Sequence, residues 1–201
     1  MKSAVTLKLA RTDEEIRNFQ RFLFQVYCVD LKWHDKSKFP DGIFTDEYDS
    51  RSTFLLVCEG EEIVAGVRLV QNSESGFPHE HEIGVALQIS GRERTREITR
   101  LISKRNKRRV FTIDIVKCLY GYGIHNQIET YLMMIDMNLF LLCRKLHVPL
   151  VPIGIPKYCE GSWAIPAMMT LRDLRADLEI KNPEVWTYIS DISNLGGSWK
   201  E

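Results

Sequence analysis

Apolar side chains recur at helical spacing over residues 14–27, where Ile16, Phe19, Leu23, Val26 and Tyr27 share one face. Thr12, followed three residues later by Glu15, has the capping-box pattern that opens a helix. The periodicity is lost over 30–51, a stretch rich in Asp, Lys, Pro and Gly. A connection of that length either covers a site or moves. Residues 53–58 and 63–70 are apolar runs joined by Glu59-Gly-Glu-Glu62, which predicts an antiparallel hairpin.

Residues 71–91 read as loop, with Gly76, Phe77 and Pro78 among polar neighbours. A third strand is predicted over 95–103, where charges interleave with Ile98, Leu101 and Ile102. A largely buried helix over 110–124 and a buried strand over 130–137 follow. Asn138 is the predicted cap of a helix to about 147, with Leu139, Leu142, Cys143 and Leu146 inward. Strands over 148–153 and 163–171, a short helix over 172–180 and a Gly/Ser/Trp tail complete the pattern. This order predicts an α/β (α+β) protein with a mixed sheet flanked by helices. No repeat, linker or low-complexity tract divides the chain, so one domain over 1–201 is expected. Residues 1–52 would form its amino-terminal helix and cover loop, and 53–201 its sheet core and carboxy-terminal part.

The 201 residues, 44% hydrophobic and 27% charged, can bury a core without disulfide or metal staples and are not a disordered or fibrous composition. Apolar runs such as 54–58 fall far short of the ~20 residues that cross a bilayer. The first residues lack the apolar stretch of a signal peptide. Five cysteines without a CxxC pair read as reduced thiols. A cytoplasmic protein without membrane insertion is expected. Zero net charge conceals an asymmetry. Between 92 and 109, nine Arg or Lys stand against Glu93 and Glu97, whereas seven carboxylates between 41 and 62 stand against Arg51. Such a basic segment suits a localised anionic partner. It lacks the interleaved aromatics of a nucleic-acid stacking platform, so no nucleic-acid partner is expected.

Arg68, Glu97 and Arg100 place charge where strands should be apolar. Glu97 and Arg100, three apart, point to opposite faces of a regular strand and share a face only across a bulge. The plainer alternative pairs these residues with Asp46 and Asp49 at the sheet edge. His79-Glu-His81 lacks a third ligand at motif spacing, so no metal is expected. Cys118 and Cys143, on apolar helical faces, read as core rather than nucleophile.

Taken in order, these motifs resemble the acyl-homoserine lactone (autoinducer) synthases and the related N-acyl amino acid synthases of the GCN5-related N-acyltransferase superfamily. The resemblance spans about 17–153. It rests on Phe24-Gln-Val-Tyr-Cys-Val-Asp-Leu-Lys-Trp33, Asp46-Glu-Tyr-Asp49, Ala65-Gly-Val-Arg-Leu69, Gly76-Phe-Pro78 and Glu97-Ile-Thr-Arg-Leu101. It implies an acyl-CoA N-acyltransferase fold with a twisted, mostly antiparallel sheet. It also implies transfer of a long fatty acyl group to an amine, with Glu97 as general base. Main-chain N–H groups around Leu101 and Ser103 would hold the phosphopantetheine arm and polarise the thioester. Arg68, Arg100, Asp46 and Asp49 would form a charged cluster ordering the amino-terminal cover, or either arginine would grip an amino-acid carboxylate. Trp33, Arg68, Arg100, Met133 and Ile135 would line the substrates. The acyl-phosphopantetheine donor would be the sole cofactor-like group.

The chain also departs from the pattern. The autoinducer enzymes carry an Arg four residues before the first-helix aromatic, where this chain has Leu23. That favours an amino-acid acceptor, with an N-acyl amino acid such as N-acyl tyrosine as product, over S-adenosylmethionine and a lactone. The Gly-rich turn common among coenzyme A users is replaced by Lys104-Arg105-Asn106-Lys107-Arg108-Arg109. This basic segment suits docking of an acidic acyl carrier protein. A non-catalytic binding module with the same fold is the alternative from another class.

Overall fold

The apolar runs around Gly60 fold as a hairpin, β2 (Ser52–Glu59) and β3 (Glu62–Gln71). Gly60 turns it at φ +63°, a left-handed conformation that costs glycine little. The computed structural model describes residues 5–83, 87–104, 108–159, 161–193, 195 and 199–200. Six further strands complete the sheet: β1 (Val5–Leu9), β4 (Thr95–Ser103), β5 (Thr130–Asp136), β6 (Val151–Pro152), β7 (Lys157–Cys159) and β8 (Ser162–Thr170). The order is β1-β2-β3-β4-β5-β8-β6, with β7 also on β8. Every pairing is antiparallel except that of β4 with β5.

That parallel pairing runs only from Thr95 opposite Thr130 to Ile98 opposite Met133. Both strands continue, β4 to Ser103 and β5 to Asp136. The sheet therefore splits at its middle. Past Ile98, the edge of β4 that faces β5 has no ladder partner on β5 among the described residues.

Two apolar layers cover the sheet. On one face, α1 (Asp13–Phe24) packs Phe19 and Leu23 against Phe54, Leu56 and Cys58. Burying a side chain such as Phe19 contributes about 1.5–3 kcal/mol. Gly66 of β3 permits the approach, since a Cβ there would lie 2.5 Å from the Phe19 ring. On the other face, α3 (Arg108–Asn126) packs Ile115, Cys118, Leu119 and Tyr122 against Leu55, Val57, Leu69 and Ile98. The helices α4 (Met137–Lys145), α5 (Leu171–Lys181) and α6 (Pro183–Ser190) extend this second layer, as Phe140, Leu174 and Ile189 join its core.

The capping box at Thr12 and Glu15 is present, with reciprocal bonds of 3.1 and 3.2 Å. The α-helix stops at Phe24, however, and Gln25–Asp30 continues as a π-helical turn that keeps Tyr27 and Cys28 buried. The cap of α4 is Asp136 rather than Asn138, because the Asp136 carboxylate accepts the Asn138 and Leu139 N–H groups at 2.9 and 3.2 Å. The strand expected over 148–153 shrinks to two residues, Pro152 having no N–H to donate. β1, β7, α6 and the short α2 (Pro78–Ile83) are additions to the predicted pattern. Among the described residues, no helix is long and apolar enough to cross a membrane.

Candidate active site

Ile98 faces the α3-side core, so alternation turns Glu97 and Thr99 toward the α1 side. The alternation then breaks. Gly66 pairs with Ile102 and Arg68 with Thr99, leaving Arg100 and Leu101 both opposite Val67. Arg100 takes φ +53°. This is a bulge, and it reverses the faces of the residues beyond it. Ile102, four residues after Ile98, accordingly packs in the α1-side core. Thr99 and Arg100 then both serve the α1 side.

There they meet two carboxylates from the long connection after α1. Arg68, 3% exposed, directs Nη1 to Asp46 and Asp49, Nη2 to Asp46 Oδ2 at 3.0 Å, and Nε to Thr99 Oγ1 at 2.8 Å. Arg100 Nη2 donates to Asp46 Oδ2 at 3.0 Å, and its guanidinium carbon lies 4.7 Å from the Phe44 ring centroid. Gln20 of α1 donates to Asp49 Oδ2 at 2.9 Å. The connection is thus fastened to one helix and two strands. Burial pushes the Asp46 carboxyl up, but the hydrogen bonds and charges of Arg68 and Arg100 outweigh it and hold the group below the usual carboxylate range. Most of the Arg68 fork is committed to Asp46 and Asp49, which leaves it poorly placed to grip a substrate carboxylate.

Glu97 is 2% exposed, opposite Val70 on β3 and beside Leu132 on β5. Its Oε2 accepts the main-chain N–H of His79 at 2.8 Å. Burial pushes the carboxyl up to about 8, against the pull of that N–H and of the Arg68 charge. A carboxyl raised that far, one residue before the last paired position of β4 and β5, is suited to take up a proton and release it.

The segment carrying His79 is fixed by Glu80, whose carboxylate accepts the N–H of Phe77 at 2.8 Å and of Leu87 at 2.5 Å, and pairs with Arg92. Those bonds hold Glu80 at about 2. Tyr48, between the two aspartates in sequence, shares a hydrogen bond of 3.2 Å between its hydroxyl and His81 Nδ1 and turns its ring toward Arg51 and Arg68. From sequence, His79 is set aside as a histidine without a metal, and Tyr48 and the Glu80–Arg92 pair are given no role. The available signal was their position, inside the Asp46–Asp49 pair and directly after Pro78.

The remaining predicted residues are dispersed. Trp33 stacks on Tyr27 at 5.7 Å and closes on the β7–β8 turn, where a Cβ on Gly161 would lie 2.6 Å from the Trp33 ring. Met133 and Ile135 belong to the α3-side core, across the sheet from Glu97. Leu132 is the β5 residue in register with Glu97. Leu101 packs partly against the α3-side core. Ser103 and Lys104 line a groove of about 640 Å³ with Phe22, Val26, Leu56 and Ile63, at the end of β4; Glu97 does not line it. Lys104 pairs with Glu62. Arg105 and Lys107 lie outside the described residues, as do the side chains of Arg108 and Arg109 at the start of α3. Among the described residues no group of three or more His, Cys, Asp or Glu is placed to hold a metal.

Neither a protein-family model nor a curated protein matches the sequence. Solved structures match its fold. BjaI, a CoA-dependent acyl-homoserine lactone synthase solved with SAM and isopentyl-CoA, superposes over 98% of this chain and 93% of its own, with a TM-score of 0.74 at 17% identity. FeeM, an N-acyl amino acid synthase from uncultured soil microbes, covers 87% of this chain and 94% of its own, with a TM-score of 0.65 at 13% identity. An acyl-CoA N-acyltransferase from Pseudomonas aeruginosa gives a TM-score of 0.56 at 12% identity, over 83% of this chain and 99% of its own. The chain has the acyl-CoA N-acyltransferase fold, in a form close to that of these synthases.

Proposed function

We propose that this protein is an N-acyltransferase that moves a fatty acyl group from a thioester donor to the amine of an amino acid. The observation that carries this reading is Glu97, a carboxyl 2% exposed and raised to about 8, on the strand where the parallel pair separates. The amine nitrogen attacks the thioester carbonyl carbon and gives up a proton to the Glu97 carboxylate. The tetrahedral oxyanion is held by main-chain N–H groups of β4 beyond the split, preorganised donors being a large catalytic contribution in acyl transfer. The C–S bond breaks, the leaving thiolate takes the proton that Glu97 accepted, and an amide remains.

The finer assignments rest on sequence. The segment 104–109 holds five cations and no glycine, which favours an acidic acyl carrier protein over coenzyme A as donor. BjaI, with the same fold, is CoA-dependent, so both donors belong in the test. Leu23, in place of the arginine of autoinducer enzymes, favours an amino acid over S-adenosylmethionine. The purified protein is to be incubated with acyl-carrier protein or acyl-CoA and with either S-adenosylmethionine or the twenty amino acids, and products read by mass. The expected product is an N-acyl amino acid formed from the carrier-bound donor. A lactone would move the acceptor to S-adenosylmethionine, and no acylated product from any pairing would leave a non-catalytic binding module.

A further inference from the structure

His79 is 1% exposed, and neither of its ring nitrogens has a hydrogen-bond partner among the described residues. A neutral imidazole offers one N–H donor and one bare acceptor. Buried groups of this kind are almost always paired, because a dry, unpaired donor or acceptor carries its full desolvation cost. An apolar ring of similar size would avoid that cost. Two residues on, the exposed His81 has both nitrogens in contact with partners, the Tyr48 hydroxyl at 3.2 Å and the Ser75 carbonyl at 2.5 Å. The orphan ring does not reflect a loose segment. Glu80 ties the chain on both sides of it, and the His79 N–H is itself bonded to Glu97 at 2.8 Å. Burial also lowers the imidazole below its ordinary value, which keeps it uncharged at neutral pH.

We propose that His79 is a specificity-determining residue whose ring hydrogen-bonds an uncharged hydroxyl on the side chain of the acceptor. A hydroxyl can donate to the bare nitrogen or accept from the N–H; the two nitrogens point apart, so it pairs with one of them. A charged side chain would find no counter-charge on the neutral ring, and an apolar one would leave both nitrogens dry. A site built to hydrogen-bond a substrate rejects the isostere that lacks the group, by up to about 10⁴-fold or more. The proposal rests on the N-acyltransferase reading, since the main chain of His79 holds the residue beside Glu97.

The test compares acyl transfer to tyrosine and phenylalanine, and to threonine and valine, in the parent, His79→Phe and His79→Gln. In the parent, kcat/KM should favour the hydroxyl-bearing member of at least one pair by about 10²-fold or more. His79→Phe should erase the preference and His79→Gln, which keeps a donor and an acceptor, should restore part of it. Transfer to amino acids without that preference, or with a preference unmoved in His79→Phe, overturns the role of His79 and leaves acyl transfer standing. Failure to acylate any amino acid overturns the reading of function, and thermal melts then judge His79 separately. A ring held unpaired for a ligand weakens the free protein, so His79→Phe should melt about 2–5 °C above the parent. A melting temperature lowered by a similar amount shows that the ring is a packing residue and overturns the proposal.

Discussion

Arg100 reaches Asp46, at 3.0 Å, through a fault in its strand: the bulge that puts Arg100 at φ +53° turns it to the face Thr99 already occupies. Arg100→Ala and Arg100→Gly both lose the ion pair and the packing over Phe44. Only glycine adopts the left-handed conformation without a steric cost of about 1–2 kcal/mol. The glycine variant should therefore be more stable than the alanine variant by about 1 kcal/mol in urea unfolding. Equal stabilities, or the reverse order, would contradict the bulge.

Arg68 lies between two carboxylates that cannot follow it into solvent without moving the cover. Removing one partner of a buried ion pair costs about 3–5 kcal/mol. Asp46 and Asp49 retain some exposure, so Arg68→Ala should cost about 2–4 kcal/mol in urea. Arg68→Lys should recover less than half, because an ammonium cannot reproduce the fork to Asp46, Asp49 and Thr99. Asp46 is lowered below its ordinary 3.8, so its contribution is present above that value and is lost as acid takes the pH below it. The Arg68 variants should lose this part of the acid sensitivity.

Glu97 has the opposite sign. The folded carboxyl keeps its proton up to about pH 8, while the unfolded one releases it near 4.5. The folded chain therefore holds more protons across that window, and stability falls as pH rises through it, then levels off. Glu97→Gln removes the slope and keeps an acceptor for the His79 N–H. At pH 8.5 it should exceed the parent's stability by about 1 kcal/mol or more, an advantage that disappears by pH 4. A parent whose stability does not fall between pH 5 and 8 would show that Glu97 is ionised throughout.

The charged segment after β4 predicts a kinetic signature. Single rim charges are worth about 0–1 kcal/mol, so one substitution should be nearly silent. Reversing Arg105, Arg108 and Arg109 to Glu together should raise the KM for acyl-carrier protein about tenfold at low salt and leave kcat almost unchanged. A small acyl-thioester should be used equally well by both proteins. A parental KM for the carrier at low salt would leave the segment as a solvated face.

The framework was legible because it follows from periodicity. The capped first helix, the hairpin and the helix–strand alternation of the second half all rest on side-chain spacing, and the structure has them. β1 alternates only over five residues, too few to separate from chance, and α2 is hidden behind Pro78 in a polar stretch. Arg68, Glu97 and Arg100 stood out because charge interrupts apolar strands, and the two aspartates as carboxylates able to pair with them at the sheet edge. A strict period of two put Glu97 and Arg100 on opposite faces, and the single extra residue that reverses this leaves no trace in composition. His79 was hidden for a different reason. A histidine in a loop reads as solvated, and its burial depends on Glu80 binding main-chain groups on either side of it, a tertiary arrangement that no local pattern encodes.

The central claim is that the Glu97 carboxylate removes the proton of the attacking amine. Its most direct test is the turnover of Glu97→Gln beside the parent at pH 8, with donor and acceptor saturating and the donor KM measured in both. Loss of a positioned base should lower kcat by about 10²–10⁴-fold while the donor KM stays at the parental value. A kcat within a few fold of the parent would contradict the account and leave Glu97 as a structural anchor for the His79 segment.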